Sequence, residues 1–116
     1  MEPARTLADL VEISPQIEAA AVIGDDGHVV GSVGVPEGRA GVLAGAVGDL
    51  LEGAAFRTEG LVTQVHAEFD DGGVFVVSGE DGRTIVAVAA GRPAPGLVFY
   101  DLKRCLALLR EADVEA

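Results

Sequence analysis

The residues able to do chemistry in this chain are few and scattered. There are two histidines, His28 and His66, and one cysteine, Cys105. A zinc site takes four donors, usually in clustered pairs of Cys and His, and no such cluster is present. Asp25, Asp26, Asp70 and Asp71 would make a weak calcium site if their turns met in space. Each pair runs into glycine, as Asp25-Asp26-Gly27 and Asp70-Asp71-Gly72, which is ordinary turn chemistry. Gly31, Gly34 and Gly38 sit between a strand-like run and a helix-like run, where a phosphate loop would lie. They lack the Gly-Lys-Ser/Thr ending and the dinucleotide spacing, so they read as loop glycines. No nucleophile, base and acid stand in a catalytic arrangement. The expectation is a protein that is not an enzyme, with no cofactor and no metal.

Charge narrows the partners. The net charge is -11 at neutral pH. Nucleic-acid backbones and anionic membranes would repel such a chain, so neither is an expected partner. An acidic surface attracts a basic protein patch and also keeps a protein soluble. A single cysteine cannot form an internal disulfide. The opening Met-Glu-Pro has no basic stretch followed by an apolar one, so no signal peptide is expected. The longest uncharged run is the ten residues Gly27–Pro36. That is short of the roughly 18 a membrane span needs. A cytoplasmic location and no membrane insertion are expected. A chain of 116 residues fits a single domain over 1–116. It can bury roughly 65% of its unfolded surface.

Hydrophobic periodicity supplies the elements. Thr6 to Ile13 places Leu7, Leu10, Val11 and Ile13 near one helical face, with Thr6 as the expected cap, and Ser14-Pro15 ends the run. Ile17–Gly24 is apolar on both alternating faces beyond Glu18, as a central strand covered on both sides would be. Asp25-Asp26-Gly27 turns the chain, and His28–Val33 returns as its hairpin partner. Arg39 to Ala55 reads as a helix. Leu61–Phe69 alternates, with Leu61, Val65, Ala67 and Phe69 on one face and Gln64, His66 and Glu68 on the other. Val74–Ser78 and Thr84–Ala90 are almost wholly apolar inner strands. Leu97–Ala112 places Val98, Leu102, Cys105, Leu106 and Leu109 on one face, with Asp101, Arg104 and Glu111 opposite. Cys105 on that face reads as a buried small hydrophobe. The order is αββαβββα: an α+β domain built on a five-stranded antiparallel sheet, with helices available for both faces.

The middle helix has an unusual composition. Gly41, Ala44, Gly45, Gly48 and Glu52 fall on one face at spacings of three and four. Each interior glycine costs about 1 kcal/mol relative to alanine. Close approach of another backbone is the compensation to expect, either the protein's own sheet or a second copy of the same helix.

The element order, the hairpin Val22-Ile23-Gly24-Asp25-Asp26-Gly27-His28-Val29-Val30 and the Pro95-Gly96-Leu97 lead-in to the last helix resemble the Roadblock/dynein light chain family, and within it the bacterial MglB-like group. The resemblance covers about residues 5 to 112. It implies a homodimer in which the second helix pairs with its copy and the third strand joins edge to edge. The residues expected at that interface are Gly41, Ala44, Gly45, Gly48, Glu52, Val62, Gln64, His66 and Glu68. It further implies a platform for a Ras-like small GTPase, with a scaffolding or GTPase-activating role. Arg39 and Arg57 flank the middle helix and are candidates for an inserted arginine, against the plainer reading of solvated surface side chains. The alternative functions are a small-molecule sensor or a purely structural dimerisation domain. A sensor needs inward polar groups, and the sequence offers mainly Thr63, Ser78 and Thr84.

Overall fold

A computed structural model describes residues 3–34, 64–69, 72–79, 82–91 and 94–115. In chain order the elements are α1 (Pro3–Ile13), β1 (Ile17–Ile23), β2 (Val29–Val33), β3 (Gln64–Phe69), β4 (Gly72–Ser78), β5 (Thr84–Ala90) and α2 (Pro95–Glu115). The expected helix over 39–55 lies outside the described residues.

The five strands form one antiparallel sheet in the order β2-β1-β5-β4-β3. Two local units make it: the β1–β2 hairpin and the β3–β4–β5 meander. They join because β1 pairs with β5, with Ala20 opposite Ala87 and Val22 opposite Ile85. Strand β1 needs that inside position. Its burial runs through Ala20, Ala21, Val22 and Ile23, which point alternately to opposite faces.

Each face carries its own apolar cluster. On one face Ala20, Val22, Phe75, Val77, Ile85, Ala87 and Ala89 meet Leu7 and Leu10 of α1 and Val98, Leu102, Cys105, Leu106 and Leu109 of α2. On the other, Ala21, Ile23, Val76 and Val86 are buried, with Val29, Val65 and Val74 packed against them. Both described helices lie on the first face. The α2 residues assigned to its apolar side from periodicity are all buried.

Three local expectations are revised. Helix α1 begins at Pro3, so Thr6 lies inside it and is buried rather than capping it. A proline in the first turn loses nothing, because its missing N–H would have had no helical partner. Pro95 likewise starts α2 two residues before the expected position. Ile13 is 72% exposed. At about 100° per residue it lies about 120° round the helix from Leu7, off the buried stripe.

Ser14 ends α1, and its N–H donates to the Leu10 carbonyl at 2.8 Å. Its buried hydroxyl donates to a carboxylate oxygen of Asp101 on α2. This bond ties the two helices at one end. Asp101, expected opposite the apolar side, is half-buried because of it. Gly34, weighed as a phosphate-loop glycine, has a φ of 72°, and an added Cβ would run into the Glu18 carbonyl oxygen. Close backbone packing explains it.

Leu102 is fully buried and Leu108 is 40% exposed on the same helix. Leu102→Ala is expected to lower unfolding stability by about 2–5 kcal/mol. Leu108→Ala should cost under about 1 kcal/mol. Urea titrations followed by circular dichroism compare the two directly.

Candidate partner-binding site

Strand β3 holds the part of the expected interface that falls within the described residues. It stands at one end of the sheet, with β4 as its neighbour. Gln64, His66 and Glu68 are exposed, while Val65 and Ala67 are half-buried. The register explains the split. Val65 and Ala67 oppose Val76 and Val74, on the face of the second apolar cluster. Gln64, His66 and Glu68 oppose Val77, Phe75 and Gly73, on the face that carries α1 and α2. The polar side of β3 therefore projects at the margin of the helix layer.

His66 is anchored there. Its ring stacks on Phe75 with centroids 4.2 Å apart and planes 10° from parallel. Phe99 of α2 meets both rings edge-on, at 6.3 Å from His66 and 5.3 Å from Phe75. Gly73 leaves room for the imidazole, since a Cβ there would sit 3.2 Å from His66 Nε2. The result is a polar strand surface held rigid by an aromatic stack. Gly41, Ala44, Gly45, Gly48, Glu52 and Val62 lie outside the described residues, as do Arg39, Arg57 and Thr63.

The other chemical candidates are local structure. The Asp25 turn closes with the Gly24 N–H donating to the His28 carbonyl at 2.9 Å. The His28 N–H donates to Asp26 Oδ1 at 3.0 Å. That bond, more than the nearby imidazole, holds the exposed Asp26 carboxyl below the usual carboxylate range. The Asp25 turn neighbours the Gly82 turn, where a Cβ on Gly82 would lie 2.8 Å from Asp25 Cβ. Gly72 pairs with Ala90, at the opposite end of the sheet. Among the described residues no three His, Cys, Asp or Glu side chains are grouped to hold a metal. Ser78 and Thr84 face each other across β4 and β5, with hydroxyl oxygens 3.3 Å apart, so each satisfies the other.

A second surface was not anticipated. Between α1 and α2 lies a groove of about 350 Å³ whose walls include Asp9, Ile13, Tyr100, Arg104 and Leu108, with Cys105 among its lining residues. Leu97, Tyr100, Arg104 and Leu108 recur at helical spacing, beside the buried stripe rather than on it. That recurrence was the signal available in the sequence, and the stronger pattern of the buried residues masked it. Burial pushes the Cys105 thiol from 9.0 up to about 11. Among the described residues no helix is long and apolar enough to cross a membrane.

No protein-family model matches the chain, and no curated protein sequence matches it. Solved structures do. The Roadblock/LC7 domain from Streptomyces avermitilis is similar with a TM-score of 0.83 and 22% identity, over 96% of this chain and 97% of that one. Myxococcus xanthus MglB is similar with a TM-score of 0.77 and 15% identity, over 100% of this chain and 98% of that one. LokiProfilin2, solved in complex with rabbit actin, has a TM-score of 0.65 and 17% identity, over 90% of this chain and 92% of that one. At these identities the likeness is one of fold, spanning nearly the whole domain.

The shifted thiol has a consequence for alkaline stability. Its folded pKa lies above the unfolded value, so its contribution is complete below pH 9.0 and is lost as the pH rises through about 11. Cys105→Val should remove that slope. The wild-type urea midpoint minus that of the variant, measured at several pH values in this window, should fall as the pH rises.

Proposed function

From the Roadblock/LC7 fold of this chain, we propose that it is a non-catalytic, homodimeric regulator that binds a Ras-like small GTPase. The observation that carries this reading is the position of β3. It is the alternating strand, it ends the sheet, and its polar side projects outward. An unpaired edge strand is a liability, and pairing with the same strand of a second copy relieves it. The small-residue face Gly41, Ala44, Gly45 and Gly48, with Glu52, supplies a second contact along which two helix backbones approach closely. Val62, Gln64, His66 and Glu68 form the strand part of the interface.

The GTPase partner follows from the family that the hairpin and the last helix resemble. Its platforms carry partners on the dimer rather than in a cavity. The acidic surface of this chain suits a basic patch on such a partner. A small-molecule sensor is less well supported, because Ser78 and Thr84 satisfy each other instead of converging on a ligand. Binding is the core of the proposal. Stimulation of hydrolysis would require an inserted charge, for which Arg39 and Arg57 are the residues to substitute.

Light scattering at micromolar concentration should give about twice the chain mass of 11.8 kDa. A Gly45→Leu chain that remains folded should fall to the monomer mass. If Gly45→Leu keeps the dimer, the small-residue face is not the contact. For the partner, the tagged chain is used to capture proteins from its host with and without a non-hydrolysable GTP analogue. A small GTPase enriched with the analogue is the expected outcome. Its absence under both conditions would overturn the GTPase reading while leaving the dimer untouched.

A further inference from the structure

The groove between α1 and α2 is apolar where water should meet polar groups. Of its lining residues, Ile13 is 72% exposed, Tyr100 60% and Leu108 40%, and Leu97, 66% exposed, precedes Tyr100 on α2 without lining the groove. Ile13 stands on α1, and the other three form one stripe of α2 with Arg104 between them. Single exposed hydrophobic residues are common, but a contiguous set lining a groove marks a contact surface.

Charge identifies the occupant. The chain as a whole carries a net charge of -11. On these two helices Arg5, Lys103, Arg104 and Arg110 stand against Asp9, Glu12, Asp101, Glu111, Asp113 and Glu115, so four bases against six acids leave only -2 of that charge here. A strongly basic partner would be drawn to the acidic excess elsewhere. A second copy meets less repulsion here than at its other surfaces. The groove also carries one unpaired charge of each sign. Asp9 lines it from α1 and Arg104 from α2, and neither has an ion-pair or hydrogen-bond partner among the described residues. Two-fold symmetry turns that arrangement into complementarity. A two-fold axis running along the groove, parallel to the helices, lays α1 of one copy over α2 of the other. Asp9 of each copy then faces Arg104 of its mate, as an isologous interface requires.

We propose that the α1–α2 groove is a docking surface for a second copy of this chain, closed by two reciprocal Asp9–Arg104 pairs around Ile13, Tyr100 and Leu108. The surface is separate from the β3 edge and does not depend on it. If the edge also pairs, the two contacts build a dimer of dimers.

Sedimentation velocity of the full chain over a range of concentrations tests this. The wild-type protein should double in mass as concentration rises. The doubling runs from monomer to dimer if the β3 edge is unpaired, and from dimer to tetramer if it is paired, so the two interfaces are read separately. Asp9→Arg sets two arginine pairs across the axis, and Arg104→Asp sets two aspartate pairs. Each should move the midpoint to concentrations higher by about tenfold or more. Both sites are exposed, so the fold should survive, which circular dichroism checks. Mixing the two variants in equal amounts makes both contacts attractive again and should restore the wild-type midpoint. Three results would overturn the proposal. One is a wild-type mass that stays constant from about 1 µM to about 500 µM, which would leave the groove to a partner of different sequence. The others are doubling that both single variants retain unchanged, and variants that do not recover on mixing.

Discussion

Strand β1 has no water-facing side beyond Glu18, and most of the architecture answers to that constraint. A strand with Ala20, Ala21, Val22 and Ile23 buried must have neighbours on both edges and cover on both faces. Strand β2 supplies one edge by a tight hairpin. Strand β5 supplies the other, and this long-range pairing fuses the hairpin with the meander into one sheet. Alanines at 20, 21, 87 and 89 keep the centre of the sheet thin. The larger residues Phe75, Ile85 and Leu102 then fill the space between sheet and helices, to the dense packing typical of interiors.

Placing β1 inside leaves β2 and β3 at the ends. Strand β3 has the composition to tolerate that position, because its exposed side is Gln64, His66 and Glu68. The aromatic stack of His66, Phe75 and Phe99 holds this surface against the helix layer. The Ser14–Asp101 bond and the shared core hold the two helices side by side, with the groove between them.

The fold and the chemistry part company here. The same architecture is shared with a protein solved on actin and with a bacterial Roadblock/LC7 domain, at comparable coverage. Likeness of fold at these identities does not carry a partner across. One fold hosts many functions, and what differs between its members is the surface composition built on it.

Much of the strand layout was legible in the sequence, because period-two alternation and Asp-Gly turns are local signals. Strand β5 has the bounds of its apolar run Thr84–Ala90, β3 is half-exposed as its alternation predicts, and the apolar periodicity of α2 is its buried stripe. The local code was weaker at helix starts, where Pro3 and Pro95 begin their helices earlier than the apolar pattern does. It could not say that β1 would pair with β5, since partner choice depends on residues more than sixty positions apart. The spacing of Tyr100, Arg104 and Leu108 is visible in the sequence, but the groove they border is not, because exposure of these residues and of Ile13 depends on the angle at which two helices share one sheet face. Sequence alone determined which segments are apolar on one side or on both. Tertiary structure decided which of those segments meet and which apolar side chains are left facing water, because only packing sets the distances between elements far apart in the chain.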